Sequence, residues 1–195
     1  MMNSVAILTD SVACLPQELL SRYGIHVIPV RISSGCHVYS DKEEELPPSL
    51  IRELQEADLI DTTPWVPEHY CLEYEKIAAN ARDIVHVVPF ARFTSTISLA
   101  KAGAMMAQRR VPGLRVEVVD SSATAMGQGF VALEAARVAS LGHGIEDVLV
   151  AVERVRSNVG GVYTFDSLRH LARTGRINAL ASWAGSVLSF RPGVG

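Results

Sequence analysis

Three clusters of small polar residues carry the chemistry this chain could perform: Thr9-Asp10-Ser11, Asp61-Thr62-Thr63-Pro64 and Phe93-Thr94-Ser95-Thr96. Each lies just after an apolar run or just before a helical pattern. A helix amino terminus presents unpaired N–H groups and partial positive charge, so it attracts carboxylate or phosphate. Hydroxyl side chains add neutral donors that rotate to fit. Several such ends at one sheet edge would form an anion site without any lysine. The same residues are common helix caps, and capping accounts for each cluster taken singly. A different class of reading also stays open: a small α/β enzyme acting on a phosphorylated or carboxylated metabolite, with Asp10 or Asp120 as its acid–base residue.

Other chemistries lack their residues. There is no phosphate-binding P-loop sequence and no G-x-G-x-x-G after a strand. Ser122 has no G-x-S-x-G elbow around it. Gly127-Gln128-Gly129 reads as a helix-entry turn. The six histidines do not pair at metal-ligand spacing, and His26 and His86, inside strand candidates, read as structural. Neither Asp10 nor Asp120 has a neighbouring carboxylate, so no metal and no cofactor is expected. The three cysteines, Cys14, Cys36 and Cys71, are widely spaced and read as reduced thiols of a cytoplasmic protein. A net charge of -3, with only Arg109-Arg110 adjacent among the basic residues, argues against nucleic acid. No apolar run approaches the length of a membrane span, and no basic region precedes the first apolar stretch as in a secretory signal. Stable membrane insertion is therefore not expected.

The elements that must position the clusters are alternating strands and helices. Strand candidates are Val5 to Leu8, Ile25 to Ile32, Ile84 to Val88 and Val116 to Val119, all short and rich in β-branched residues. Helical patterns run from Pro16 to Tyr23, Pro48 to Glu56, Pro67 to Ala81, Thr96 to Arg110, Gly129 to Leu141 and Ile145 to Arg156. This alternation predicts a parallel sheet covered by helices on both faces, an α/β fold. Ser33 to Pro48 reads as a polar surface loop. Gly160-Gly161 breaks the pattern. A strand candidate at Val162 to Phe165, a helix from Ser167 to Arg173 and a turn at Thr174-Gly175-Arg176 then suggest a new unit. The expected organisation is an N-terminal α/β/α domain over 1–158 and the start of a second α/β domain over 159–195.

The clusters, taken in order, resemble the DegV family of fatty-acid-binding proteins. Thr9-Asp10-Ser11 with Leu15-Pro16 resembles its T-D-S-x-x-x-L-P, and Tyr39 with Asp41 its Y-x-D. Thr62-Thr63-Pro64-Trp65-Val66-Pro67-Glu68 resembles T-S-Q-P-S-P-E, and Thr94-Ser95-Thr96 resembles S-G-T. Asp120-Ser121 with Gly127 and Gly129 resembles D-S…G-x-G. Leu168, Leu171 and Arg173-Thr174-Gly175-Arg176-Ile177 resemble L-x-x-L-x-R-G-G-R-I, and Arg191-Pro192 resembles the K-P that follows. The resemblance implies two α/β domains with a long-chain fatty acid bound between them, its tail in an apolar tunnel. It implies a carrier, not an enzyme, that in bacteria presents the carboxylate to a separate fatty-acid kinase subunit for phospholipid synthesis. Carried over by motif, Thr62 and Thr94 would hydrogen-bond the carboxylate, the Ser95 N–H would assist, and Arg176 would lie near the head group. Ser11 of the first cluster is counted with these ligand-binding residues. Family members continue past the K-P element, so the chain reads as a C-terminally shortened member, and a truncated member without ligand is a further reading. Ser95 stands where the pattern has glycine, which would be strained if the backbone there has positive φ.

Overall fold

In the computed structural model, residues 5–34, 37–41, 52, 60–62, 64–163, 171–172 and 174–176 are described. Four parallel strands form the main sheet: β1 (Val5–Asp10), β2 (His26–Ile28), β6 (Asp83–Val88) and β7 (Arg115–Asp120), in the order β2-β1-β6-β7. The chain leaves β1 toward one side for β2 and returns to its other side for β6. The sheet thus reverses direction of growth between β1 and β6, where open α/β sheets hold their ligands. Among the described residues five α-helices accompany it: α1 (Gln17–Tyr23), α2 (Pro67–Ala78), α3 (Thr96–Arg110), α4 (Met126–Ser140) and α5 (Ile145–Arg156).

Alternation along the strands divides the core into two layers. Val5, Ile7, Val85 and Val87 pack against α4 and α5 through Val131, Ala135, Val148 and Val152. Leu8, Ile84, Val88 and Val116 pack on the other face against Tyr70, Tyr74, Ala100 and Ala104 of α2 and α3. Successive strand residues point to opposite faces, so β1 and β6 are apolar on both, as strands covered on two sides must be. The expected α/β/α layering is what forms. Strand β7 lies at the sheet edge, where Arg115 pairs with Glu117 at 3.0 Å and with Glu146 at 2.6 Å, a charged edge that discourages pairing with another chain.

Helix α3 presents a buried stripe of small residues, Ala100, Gly103, Ala104 and Ala107. A Cβ added at Gly103 would sit 2.6 Å from the Pro67 carbonyl oxygen and 2.7 Å from the Tyr70 Cβ. Only glycine permits that approach, which draws the first turn of α2 against α3. His86 of β6 is fully buried, and burial pushes its pKa down to about 3, so its ring stays neutral. Its Nδ1 lies 2.7 Å from the Tyr74 hydroxyl. The structural reading of His86 therefore holds.

Several sequence expectations need correction. Ile25 to Ile32 is two strands, not one. Pro29 offers no N–H to a ladder, and after it the chain enters β3 (Arg31–Ser34), which pairs antiparallel with β4 (His37–Ser40) and β5 (Ile60–Asp61). The same small sheet replaces part of the loop expected from Ser33. Helix α4 begins at Met126, a turn-length earlier than Gly129. Val162 and Tyr163 are not strand; the Tyr163 hydroxyl donates to the Thr124 carbonyl at 3.2 Å. The helix expected over 48–56 lies outside the described residues except for Arg52, and most of the segment after 163 lies outside them too.

Tyr74→Phe removes the described partner of His86 while keeping the ring in place. Leaving a buried polar nitrogen unpaired costs roughly 1–3 kcal/mol. Urea denaturation should show that loss, with the circular dichroism spectrum of the native state unchanged.

Candidate functional site

The carboxyl ends of the parallel strands open onto a cavity of about 190 Å³. Its walls come from distant parts of the chain: Asp10 at the end of β1, Arg31 of β3, Thr62 after β5, Tyr70 of α2, Thr94 and Thr96 at the start of α3, and Arg176. The apolar part of the wall includes Ile28, Val30, Trp65 and Phe93. A larger hollow of about 640 Å³ lies beside β1 and β2, lined by residues including Val5, Tyr23, Glu73 and Ile77, but none of the hydroxyl clusters reaches it.

The third cluster serves as both cap and wall. The Thr94 hydroxyl accepts the Thr96 N–H at 3.2 Å and shares a 2.7 Å hydrogen bond with the Thr96 hydroxyl. Ser95 has φ of -84°, ordinary for any residue, so serine in place of glycine introduces no strain. Its carbonyl accepts the Ser98 and Leu99 N–H groups, and the residue is exposed, beside the cavity and not among its lining residues.

Arg176 enters from a turn in which Gly175 has φ of +72°, a left-handed conformation suited to glycine. Its Nη2 donates to the Thr62 hydroxyl at 3.2 Å and to the Thr62 carbonyl at 3.4 Å, while its Nε donates to the Phe93 carbonyl at 3.4 Å. One guanidinium thus ties the second and third clusters together at the cavity. Ser11 is placed differently. It opens the short 3-10 turn Ser11–Ala13, and its hydroxyl accepts the Val30 N–H at 3.0 Å. That bond holds the segment after β2 against the end of β1. Ser11 lies beside the cavity, and Thr63 lies outside the described residues.

Sequence reasoning missed four features of this site. Gln128, read as part of a turn, is fully buried, and its amide donates to the Thr9 hydroxyl and to Asp10 Oδ1, both at 3.0 Å. Tyr70 falls inside the helical pattern from Pro67 to Ala81, which assigned it no part in the site. Arg31 stacks over the Trp65 ring at 5.1 Å, and the Trp65 indole N–H donates to the Pro29 carbonyl at 2.7 Å. Thr124 lies between Ser122 and Ala125, both with positive φ. Such conformations cost of order 1–3 kcal/mol and gather where the surroundings hold them for a purpose. Each of the four depends on contacts between residues far apart in sequence, for which the chain carries no local signal.

Among the described lining residues Asp10 is the one carboxyl. Burial is the main cause that pushes its pKa up from 3.8 to about 7, opposed by the hydrogen bonds from Gln128 and the Val12 N–H. Burial also pushes the Tyr70 phenol up to about 12, so it stays neutral. Asp120 is used otherwise: its Oδ1 accepts the Ala91 and Ser122 N–H groups at 3.2 and 2.9 Å. Among the described residues no group of histidine, cysteine, aspartate or glutamate could hold a metal ion, and no helix is long and apolar enough to cross a membrane.

These features define an α/β protein with a cavity lined by hydroxyls and arginines at the switch point of a parallel sheet. The chain belongs to the DegV family: the family model, described as "Uncharacterised protein, DegV family", matches residues 4–193. A DegV domain-containing protein of Streptomyces coelicolor is 31% identical over 192 residues, covering 98% of this chain and 67% of that one. A similar relative from Caldanaerobacter subterraneus subsp. tengcongensis is 29% identical over 191 residues, covering 98% of this chain and 67% of the relative. Among solved structures, one described as fatty acid binding of a DegV family protein from Thermus thermophilus superposes with a TM-score of 0.76 at 27% identity, covering 95% of this chain and 65% of that one. A Bacillus subtilis DegV structure shares the fold with a TM-score of 0.75 at 24% identity, covering 97% of this chain and 66% of that one. The chain spans about two thirds of the length of these relatives.

The buried Asp10 carboxyl has a consequence for stability. Its folded pKa lies above the unfolded value, so the native state holds the extra proton between about pH 4 and 7, and stability falls as pH rises through that window. Asp10→Asn keeps an acceptor for Gln128 and Val12 and removes the charge. It should leave stability near pH 4 little changed and raise it at about pH 8 by up to about 4 kcal/mol, from 1.36 kcal/mol per unit. Urea titrations of both proteins at the two pH values check this.

Proposed function

We propose that this protein binds a long-chain fatty acid, holding the carboxylate at the hydroxyl-rich carboxyl edge of the main sheet. The observation that carries this reading is the convergence of Thr62, Thr94 and Arg176 on one cavity from three separate stretches of chain. Two hydroxyls and a guanidinium suit a single carboxylate head. The adjacent Ile28, Val30, Trp65 and Phe93 suit the methylenes next to it, each worth roughly 0.8 kcal/mol when buried. The Thermus thermophilus relative, described as binding fatty acid, supports the same choice of ligand.

The reading includes a carrier's role rather than an enzyme's, in the cytoplasm, with presentation of the bound acid to a separate kinase subunit. The lining residues offer donors to an anion, and Asp120, one of the two acid–base candidates, is engaged in holding its own loop. Residues from 159 onward belong to the start of a second unit, which contributes Arg176 to the head-group site.

Palmitate binding measured by isothermal titration tests the assignment. Thr94→Val keeps the side-chain shape and removes the hydroxyl. It should weaken binding by about 1–3 kcal/mol, or roughly 5- to 150-fold, and Thr94→Ser should restore most of the affinity. Equal affinity in the valine variant would remove Thr94 from the head-group site, and absence of binding by the parent protein would overturn the fatty-acid reading.

A further inference from the structure

Asp10 poses a problem for the proposed function. A carboxylate ligand must enter a cavity that already contains a buried carboxyl group. Asp10 is 8% exposed and lines the same walls as Thr94, Thr96 and Arg176. A line of polar groups joins the two ends of the site. Thr94 hydrogen-bonds Thr96, the Thr96 hydroxyl lies against the Tyr70 phenol, and the charge of Asp10 acts on that phenol. Two carboxylates sharing a small cavity repel each other strongly enough that one keeps a proton.

We propose that Asp10 takes up a proton when the ligand carboxylate binds, so that the complex holds one proton shared between Asp10 and the ligand head. The inference rests on the fatty-acid reading and adds the linkage of binding to pH. The proton comes from solvent and forms an O–H bond on Asp10, and no other bond is made or broken. The remaining groups that face Asp10 leave it as the titrating partner. Tyr70 of α2 is held neutral by burial, and so is His86 of β6 behind it. Burial, with the charges of Asp41 and Asp10, pushes the Cys14 thiol up, so it stays protonated. Thr96 of α3 and Gln128 of α4 do not titrate. Arg31 of β3 and Arg176 are permanent cations at the cavity wall. They draw the ligand in. Before binding, Asp10 titrates near neutrality. A second negative charge beside it moves that titration upward, so proton uptake is expected above about pH 7.

The test is calorimetric titration of palmitate into the protein at about pH 8, in phosphate and in Tris, whose ionisation heats differ. The expected result is net uptake of a proton per palmitate, seen as a buffer-dependent heat. Affinity should fall by up to about tenfold per pH unit between about pH 7 and 9. Asp10→Asn should bind with no uptake and with affinity flat across that range. Tyr70→Phe should keep the uptake, since the phenol does not titrate there. Palmitate binding without uptake by the parent protein overturns the inference, whatever the variants do. So does uptake of equal size in Asp10→Asn. Absence of palmitate binding by the parent protein overturns the fatty-acid reading itself, and this inference with it.

Discussion

The side-chain amide of Gln128 holds the functional edge of the molecule together. From the first turns of α4 it donates to Thr9 and Asp10 at the end of β1, and Thr9 in turn donates to the Val87 carbonyl of β6 at 3.0 Å. These bonds join one helix and two central strands at the place where the sheet reverses its direction of growth. They are buried, so each unmade bond would cost far more than a surface contact contributes. With β1 and β6 held in register, the turns that follow them have fixed starting points. Ser11 then fixes the segment after β2, and the Thr94–Thr96 pair fixes the start of α3.

The cavity built on that edge is unlike a packed core. A carboxyl group is kept in a buried place, two non-glycine residues are held at positive φ beside Thr124, and an arginine is brought from far along the chain to Thr62. Together they make a cavity that has both polar donors and apolar surface in its walls. The core beneath the cavity is mainly valine, isoleucine, leucine, alanine and tyrosine in two layers, with the buried His86 neutral against Tyr74.

Much of this was legible in the sequence because it follows from local rules. The short apolar runs and their alternation with helical stripes gave the layers and most helix boundaries. Thr96 to Arg110 and Ile145 to Arg156 are bounded by a hydroxyl cluster or glycine at one end and by basic residues at the other, and both helices have those limits. The ordered hydroxyl clusters pointed to the sheet edge, and Thr62, Thr94 and Arg176 meet there. What stayed hidden depends on contacts far apart in sequence. Nothing local says that Gln128 reaches Asp10 across 118 positions, or that burial there shifts its proton. The run Ile25 to Ile32 was misread because a β-branched run looks alike whether it stays in one sheet or crosses, after Pro29, into another. Ser95 shows the reverse: the family pattern raised a question of backbone strain that only its φ could answer.

The most direct test of the central claim is mass spectrometry of the organic extract from purified protein, with the intact mass of the chain measured alongside. One long-chain fatty acid for each protein molecule is expected, with a marked loss of that lipid in Thr94→Val. A folded protein of full mass whose extract contains no fatty acid, and which takes up none when palmitate is supplied, would contradict it.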